Sequence, residues 1–131
     1  MNSSPPPPAV TVRRVGQIAV RADDVAASMA FYRDQLGLRH LFTVSERMAF
    51  MDCGGVRLML SPAEQPESAP PSSIVYYAVD DLGAAHTALQ ARNVPCESAP
   101  HLIARMADSE LWMAFYRDPA QNIFGLMQEK R

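Results

Sequence analysis

A duplicated hairpin constrains this chain more than any other feature. Met48-Ala49-Phe50 leads to Asp52, a turn at Cys53-Gly54-Gly55 and an apolar run from Val56 to Leu60. Met113-Ala114-Phe115 leads in the same way to Asp118, a turn over Pro119-Ala120-Gln121-Asn122 and an apolar run from Ile123 to Met127. Repeated supersecondary units share a core that neither completes alone. At 131 residues, 48% of them hydrophobic, the chain is long enough for one compact domain built from both copies.

The residues upstream of each hairpin extend the repeat. Val12 to Arg21 reads as a strand, with Gln17, Ala19 and Arg21 on one face and Ile18 and Val20 on the other. Asp23-Asp24 caps a helix that runs to about Gln35, with Val25, Met29, Tyr32 and Leu36 on one stripe, and Gly37 ends it. Strands follow over Arg39 to Val44, Arg47 to Asp52 and Val56 to Ser61. In the second copy Ile74 to Val79 is a strand, Asp80-Asp81 a cap, and Leu82, Ala85 and Leu89 the inner face of a helix that stops by Asn93-Val94-Pro95. Cys96 to Met106 reads as irregular or as an edge strand broken by Pro100, and Glu110 to Arg117 with Asn122 to Gln128 closes the unit. The order is β-α-β-β-β twice, an α+β chain. Residues 1–11, with prolines at 5 to 8, form a disordered proline-rich tail. Module 1 spans 12–61, a Pro/Ser/Glu/Ala-rich linker 62–73, and module 2 spans 74–128.

The totals exclude several function classes. A net charge of −2 gives no basic footprint for nucleic acid. No apolar run reaches the roughly 20 residues of a membrane span. The start of the chain lacks the basic-then-apolar form of a signal peptide. Cys53 and Cys96 lack CxxC spacing and are too few for a disulfide framework, so both read as free thiols of a cytoplasmic protein.

Gly16-Gln17-Ile18-Ala19-Val20, then Phe31-Tyr32-Arg33-Asp34 with Leu36-Gly37-Leu38, resembles the first module of the vicinal oxygen chelate superfamily, which includes glyoxalase I, extradiol dioxygenases and bleomycin resistance proteins. Val79-Asp80-Asp81-Leu82 and Asp118-Pro119-Ala120-Gln121-Asn122 resemble its second module, where Asp-Pro-Asp-Gly-Asn is usual; Ala120 and Gln121 depart from that turn. The resemblance covers roughly residues 12 to 128. It implies two tandem βαβββ modules forming a cupped mixed sheet around a central cavity, and a homodimer. It also implies a metal held at four strand positions, which here fall on Gln17, Met59, Ile74 and Gly125. An amide, a thioether and two side chains without donors do not hold a hard or borderline cation, so no metal or other cofactor is expected at the standard site. A divalent metal at other positions is the alternative.

Fold does not decide function in such a superfamily, so the candidates are read singly. In the family register Gln17, Arg21, Arg57, Met59, Ile74, Tyr76 and Gly125 line the concave face. Arg21 and Arg57 suit a carboxylate or phosphate, Gln17 and Tyr76 a carbonyl or hydroxyl, and Gly125 either makes room for a ligand or permits close packing. Trp112 and Tyr116 alternate with Met113 and Phe115, one pair facing the cavity and the other the core; Trp112 is counted with the ligand-binding set. His101 and Glu110 form the one acid–base pair the chain offers, on a loop over the cavity mouth. His40 and His86 read as surface or structural. These residues favour a metal-free protein that binds a small organic molecule. The alternative is a lyase, isomerase or dioxygenase-type enzyme acting on a small oxygenated substrate, metal-free or with a non-standard metal site.

Overall fold

The computed structural model describes residues 4–63 and 73–131. Its elements are β1 (Gln17–Arg21), α1 (Val25–Asp34), β2 (Arg39–Val44), β3 (Met48–Cys53), β4 (Val56–Ser61), β5 (Val75–Ala78), α2 (Leu82–Ala91), β6 (Cys96–Arg105), β7 (Glu110–Arg117) and β8 (Ile123–Lys130), with a short 3-10 turn at Ser45–Arg47. The β-α-β-β-β order is present twice, as the repeat requires. The strands form two four-stranded sheets, β1-β4-β3-β2 and β5-β8-β7-β6. In each, the first and last strands pair parallel and the other neighbours antiparallel.

The register shows how exact the duplication is. Phe50 lies across from Met59 and Phe115 across from Gly125, while Ala19 pairs with Met59 and Tyr76 with Gly125. The second hairpin carries one extra turn residue. Asp52 therefore corresponds to Arg117, and Asp118 to Cys53, although the sequence alone sets Asp52 beside Asp118.

Each helix starts where the second Asp of its pair accepts a backbone N–H, Asp24 from Ala27 at 3.1 Å and Asp81 from Ala84 at 3.0 Å. Two local readings differ from the sequence expectation. β1 begins at Gln17 rather than Val12, because residues 12–15 lie exposed and make no backbone hydrogen bond to a neighbouring strand among the described residues. β6 is a ten-residue strand in spite of Pro100. It forms the sheet edge, where a missing N–H costs little, and its pairing shifts register between Ser98 and His101. Most of the linker, residues 64–72, lies outside the described residues.

One core serves both modules. Val20, Met51, Leu58 and Leu60 of the first sheet join Tyr77, Tyr116, Phe124 and Leu126 of the second, with Tyr32 and Leu89 from the helices. Phe31 meets Phe124 with ring centroids 5.8 Å apart, and Tyr32 meets Tyr77 at 6.3 Å, so α1 packs on the strands of the other module.

A polar latch closes this junction. Tyr32 donates to Asp118 Oδ2 at 2.7 Å, and Asn122 Nδ2 donates to the same oxygen at 2.9 Å. Asp118 Oδ1 accepts the backbone N–H of Ala120 and of Asn122, at 3.0 and 2.9 Å. Four donors satisfy a carboxylate that is only 2% exposed. The same turn is tied to β1: Asn122 Nδ2 donates to the Arg21 carbonyl at 2.7 Å and Arg21 donates to the Ala120 carbonyl at 3.3 Å. Gln121, where the related turn has Gly, takes the left-handed conformation at φ 68°.

The counterpart junction is built differently. Tyr32 and Leu89 are the eighth residues of two ten-residue helices, and Asp118 corresponds to Cys53. A leucine and a thiol replace the latch. A cavity of about 320 Å³ opens there, lined among others by Leu36, Leu38, Cys53, Tyr77, Leu89 and Leu126. Burial, and then the neighbouring Asp52, push the Cys53 thiol above its ordinary range.

Two outcomes follow for stability. Burial, followed by the charges around it, raises the Tyr32 hydroxyl well above its ordinary value of 10.0. The unfolded chain therefore loses that proton first, and the contribution is fully present below pH 10 and declines as pH rises above it. Tyr32→Phe is expected to cost about 1.5–3 kcal/mol at pH 7 and to flatten the alkaline decline, read by urea melts from pH 7 to 11. Gln121→Gly is expected to gain about 1 kcal/mol by relieving the left-handed backbone; an unchanged or lower melting midpoint contradicts it.

Candidate ligand-binding faces

The sheets bury one face each and leave the other open. On the first sheet Ala49, Met51, Leu58 and Leu60 point to the helices, so Gln17, Ala19, Phe50, Arg57 and Met59 share the open side. On the second, Ala114, Tyr116, Phe124 and Leu126 point to the helices, and Tyr76, Ala78, Met113, Phe115, Gly125 and Met127 share the open side. Some large side chains on and around these surfaces stand in solvent, Phe42 at 42% exposed and Tyr76 at 45%, while Phe50 is covered and only 8% exposed.

The first face is organised around Arg57. Its Nε donates to Gln17 Oε1 at 2.9 Å, and its guanidinium carbon sits 5.1 Å from the centre of the Phe50 ring. Gln17 Nε2 in turn lies 3.6 Å from the Met59 sulfur. Phe42 packs against Phe50 with centroids 4.6 Å apart. Arg57, Gln17 and Met59 are thus brought together. Arg21 is drawn away to the module junction, where it lies 3.5 Å from Asp23 and binds the Ala120 carbonyl.

The second face is aromatic. Tyr76 meets Phe115 edge to face at 5.8 Å, and His101 lies 6.4 Å from Phe115. Gly125 explains the arrangement, because a Cβ there would come 2.7 Å from Tyr76 Cδ1 and 3.2 Å from Phe115 Cε1. Of the two readings of Gly125, close packing holds: the protein's own rings fill the space. Ile74 precedes β5 and is 42% exposed.

Trp112 belongs to the opposite side of the sheet. It alternates in phase with Ala114 and Tyr116, donates to Glu110 Oε1 at 3.1 Å and lies under the Lys130 ammonium at 4.5 Å. Met113 and Phe115 are the pair that faces outward. The same phase separates His101 from Glu110. His101 lies on β6 opposite Met113, not on a loop, whereas Glu110 lies on the Trp112 side and pairs with Arg105 at 3.0 Å. His101 Nδ1 is 2.8 Å from the Ala99 carbonyl, which only accepts, so Nδ1 carries a hydrogen and donates there. His101 and Glu110 are not brought together as an acid–base pair.

The other histidines are occupied locally. His40 binds Thr43 at 2.7 Å and His86 binds the Tyr116 hydroxyl at 2.8 Å. Burial, and then Cys96, push the Tyr116 hydroxyl up to about 12. Phe42 and Phe50 are not assigned by the sequence, and of its two alternating pairs on β7 the open side takes Met113 and Phe115. Hairpin pairing was the signal that places them, since each lies cross-strand from a residue already assigned to that face or from its neighbour.

The four metal positions of the related fold can be tested by their chemistry. Gln17 and Met59 touch, but the Gln17 oxygen is engaged by Arg57, and Gly125 is covered by two rings. Among the described residues no group of three His, Cys, Asp or Glu side chains is arranged to hold an ion. The donor set at these positions does not fit a divalent metal.

A duplicated βαβββ chain with two helices on a shared core and an open face on each sheet defines a structural class. The chain belongs to the Glyoxalase/Bleomycin resistance protein/Dioxygenase superfamily, whose family model matches residues 14–126. Among solved structures it is similar to lactoylglutathione lyase from Agrobacterium tumefaciens, at 25% identity and a TM-score of 0.63, covering 94% of this chain and 96% of that one. It is also similar to TnmS3, an antibiotic binding protein from Streptomyces sp. CB03234, at 24% identity and a TM-score of 0.72, covering 92% and 99%. The virulence protein STM3117 from Salmonella typhimurium shares the fold at 17% identity and a TM-score of 0.71, covering 91% and 98%. No curated protein sequence matches the chain.

Gly125→Ala is expected to cost about 1–3 kcal/mol by forcing Tyr76 and Phe115 apart. Adding Tyr76→Ala should recover part of that loss. Strict additivity in a double-mutant cycle of urea melts would show that the ring contact does not set the cost.

Proposed function

We propose that this chain is a small-molecule-binding protein that works without a metal at the standard family position. The single observation that carries the reading is the replacement of the donor set by Gln17, Met59, Ile74 and Gly125, in faces lined instead by Phe, Tyr and Met side chains. Apolar surfaces with a few polar groups suit organic ligands. The similarity to a protein described as antibiotic binding supports the same class. Ligand contacts fall on Gln17, Arg57, Met59 and Tyr76, joined by Phe42, Phe50, Met113 and Phe115. Trp112 and Arg21 have other partners.

The working unit in this reading is a homodimer. Each open face needs a cover to enclose a ligand, and exposed aromatic patches of this kind mark contact surfaces. The setting is the cytoplasm. Cys53 and Cys96 are free thiols, and among the described residues no helix is long and apolar enough to cross a membrane. An enzymatic reading receives one support, the lyase similarity, but the separation of His101 from Glu110 removes the acid–base pair on which its metal-free form rested.

Native mass spectrometry of freshly purified protein, with elemental analysis of the same sample, tests this directly. The expected result is a dimer mass, no stoichiometric Zn, Ni, Mn or Fe, and a retained or readily added organic molecule. Stoichiometric metal would overturn the metal-free reading.

A further inference from the structure

Arg57 gives the first open face a charge preference. It lies on β4, an inner strand of the sheet, and its exposed guanidinium stands over Phe50 with Gln17 beside it. Its Nε is taken by Gln17, which fixes the plane of the guanidinium over the Phe50 ring. Among the described residues nothing hydrogen-bonds its two terminal nitrogens, and no carboxylate comes within ion-pair distance. That is the fork geometry that meets a planar anion through two parallel bonds.

The neighbouring charges do not cancel it. Asp52 lies cross-strand from Arg57, but also cross-strand from Arg39, so the row Arg39–Asp52–Arg57 carries one net positive charge. The second face offers no equivalent. Arg117 is held by Glu97 at 2.6 Å and by the Gln121 carbonyl at 2.8 Å, and Lys130 lies on the opposite side of its sheet over Trp112.

We propose that the open face of the first sheet binds aromatic ligands that carry an anionic group, with Arg57 taking the anion and the exposed Phe42, backed by the buried Phe50, taking the ring. This rests on the small-molecule reading above and adds the ligand's charge and shape. The face selects against cationic aromatics, which Arg57 and Arg39 repel. Gln17 is a positioning residue, because it holds Nε and leaves the other two nitrogens for the ligand.

Three probes of one shape test the inference: anthracene-2-carboxylate, the corresponding carboxamide, and 2-anthracenylmethylammonium. Binding to the intact protein is measured by calorimetry at low and at high salt. The carboxylate is expected to bind about tenfold tighter than the amide, the ammonium weakest, and the preference to shrink with salt. Arg57→Gln should bring the carboxylate-to-amide ratio close to one. Arg57→Lys, which keeps the charge without the fork, should leave a reduced preference and serves if the first variant does not fold. Arg33→Gln, a charge change on the α1 surface, should leave the ratio unchanged. Equal binding of acid and amide, tighter binding of the ammonium, or a preference that survives Arg57→Gln overturns the inference. Binding of none of the three also overturns it. In that case a neutral or cationic molecule retained in the native mass spectrum leaves the small-molecule reading standing, and an empty spectrum with no binding removes both.

Discussion

The Asp118 carboxylate is the contact on which the arrangement of the two modules depends. A buried charge without a counter-ion is costly, and here four hydrogen bonds take its place. Two of them shape the β7–β8 turn, one orders the Asn122 amide, and one reaches across to Tyr32 on α1. The turn, the end of β1 and the first helix are therefore a single hydrogen-bonded unit. That unit brings the aromatic side chains of α1 onto β5 and β8, and it directs each sheet's other face outward.

The duplication repeats the pairing of β1, β4 and β3 in β5, β8 and β7 and is unequal in chemistry. At one junction a tyrosine meets an aspartate, and at its counterpart a leucine and a cysteine line a cavity. The open faces diverge in the same way. Phe50 lies under a guanidinium across from Met59, whereas Phe115 lies against Tyr76 and His101 across from Gly125. One face is cationic and mixed, the other nearly all apolar and aromatic. A repeat of this kind keeps the backbone pairing that both halves need, while the side chains pointing away from the shared core are released to differ.

Much of the site was legible from alternation. Gln17, Arg57, Met59 and Tyr76 share an outward phase that any β reading assigns, and the structure keeps them there. The residues that were misplaced failed for separate reasons. Trp112 and Phe115 sit on one strand where both phases are apolar, so alternation does not separate core from surface. Arg21 has the right phase, but a backbone carbonyl from the other module, 99 positions away, captures it. Glu110 and His101 are close along the chain, yet strand phase sets them on opposite sides of the sheet.

The sequence by itself determined the duplicated βαβββ order, the helix caps at Asp24 and Asp81, and the residue types Gln17, Met59, Ile74 and Gly125 at four strand positions. These depend on residue type, spacing and local hydrogen bonding, which a linear chain displays. Tertiary structure alone decided that Asp118 pairs with Tyr32, that two rings fill the space above Gly125, and that Arg21 is captured by a backbone carbonyl of the other module. Each of those depends on which partner the fold brings to a polar or empty space, and the partners come from distant parts of the chain.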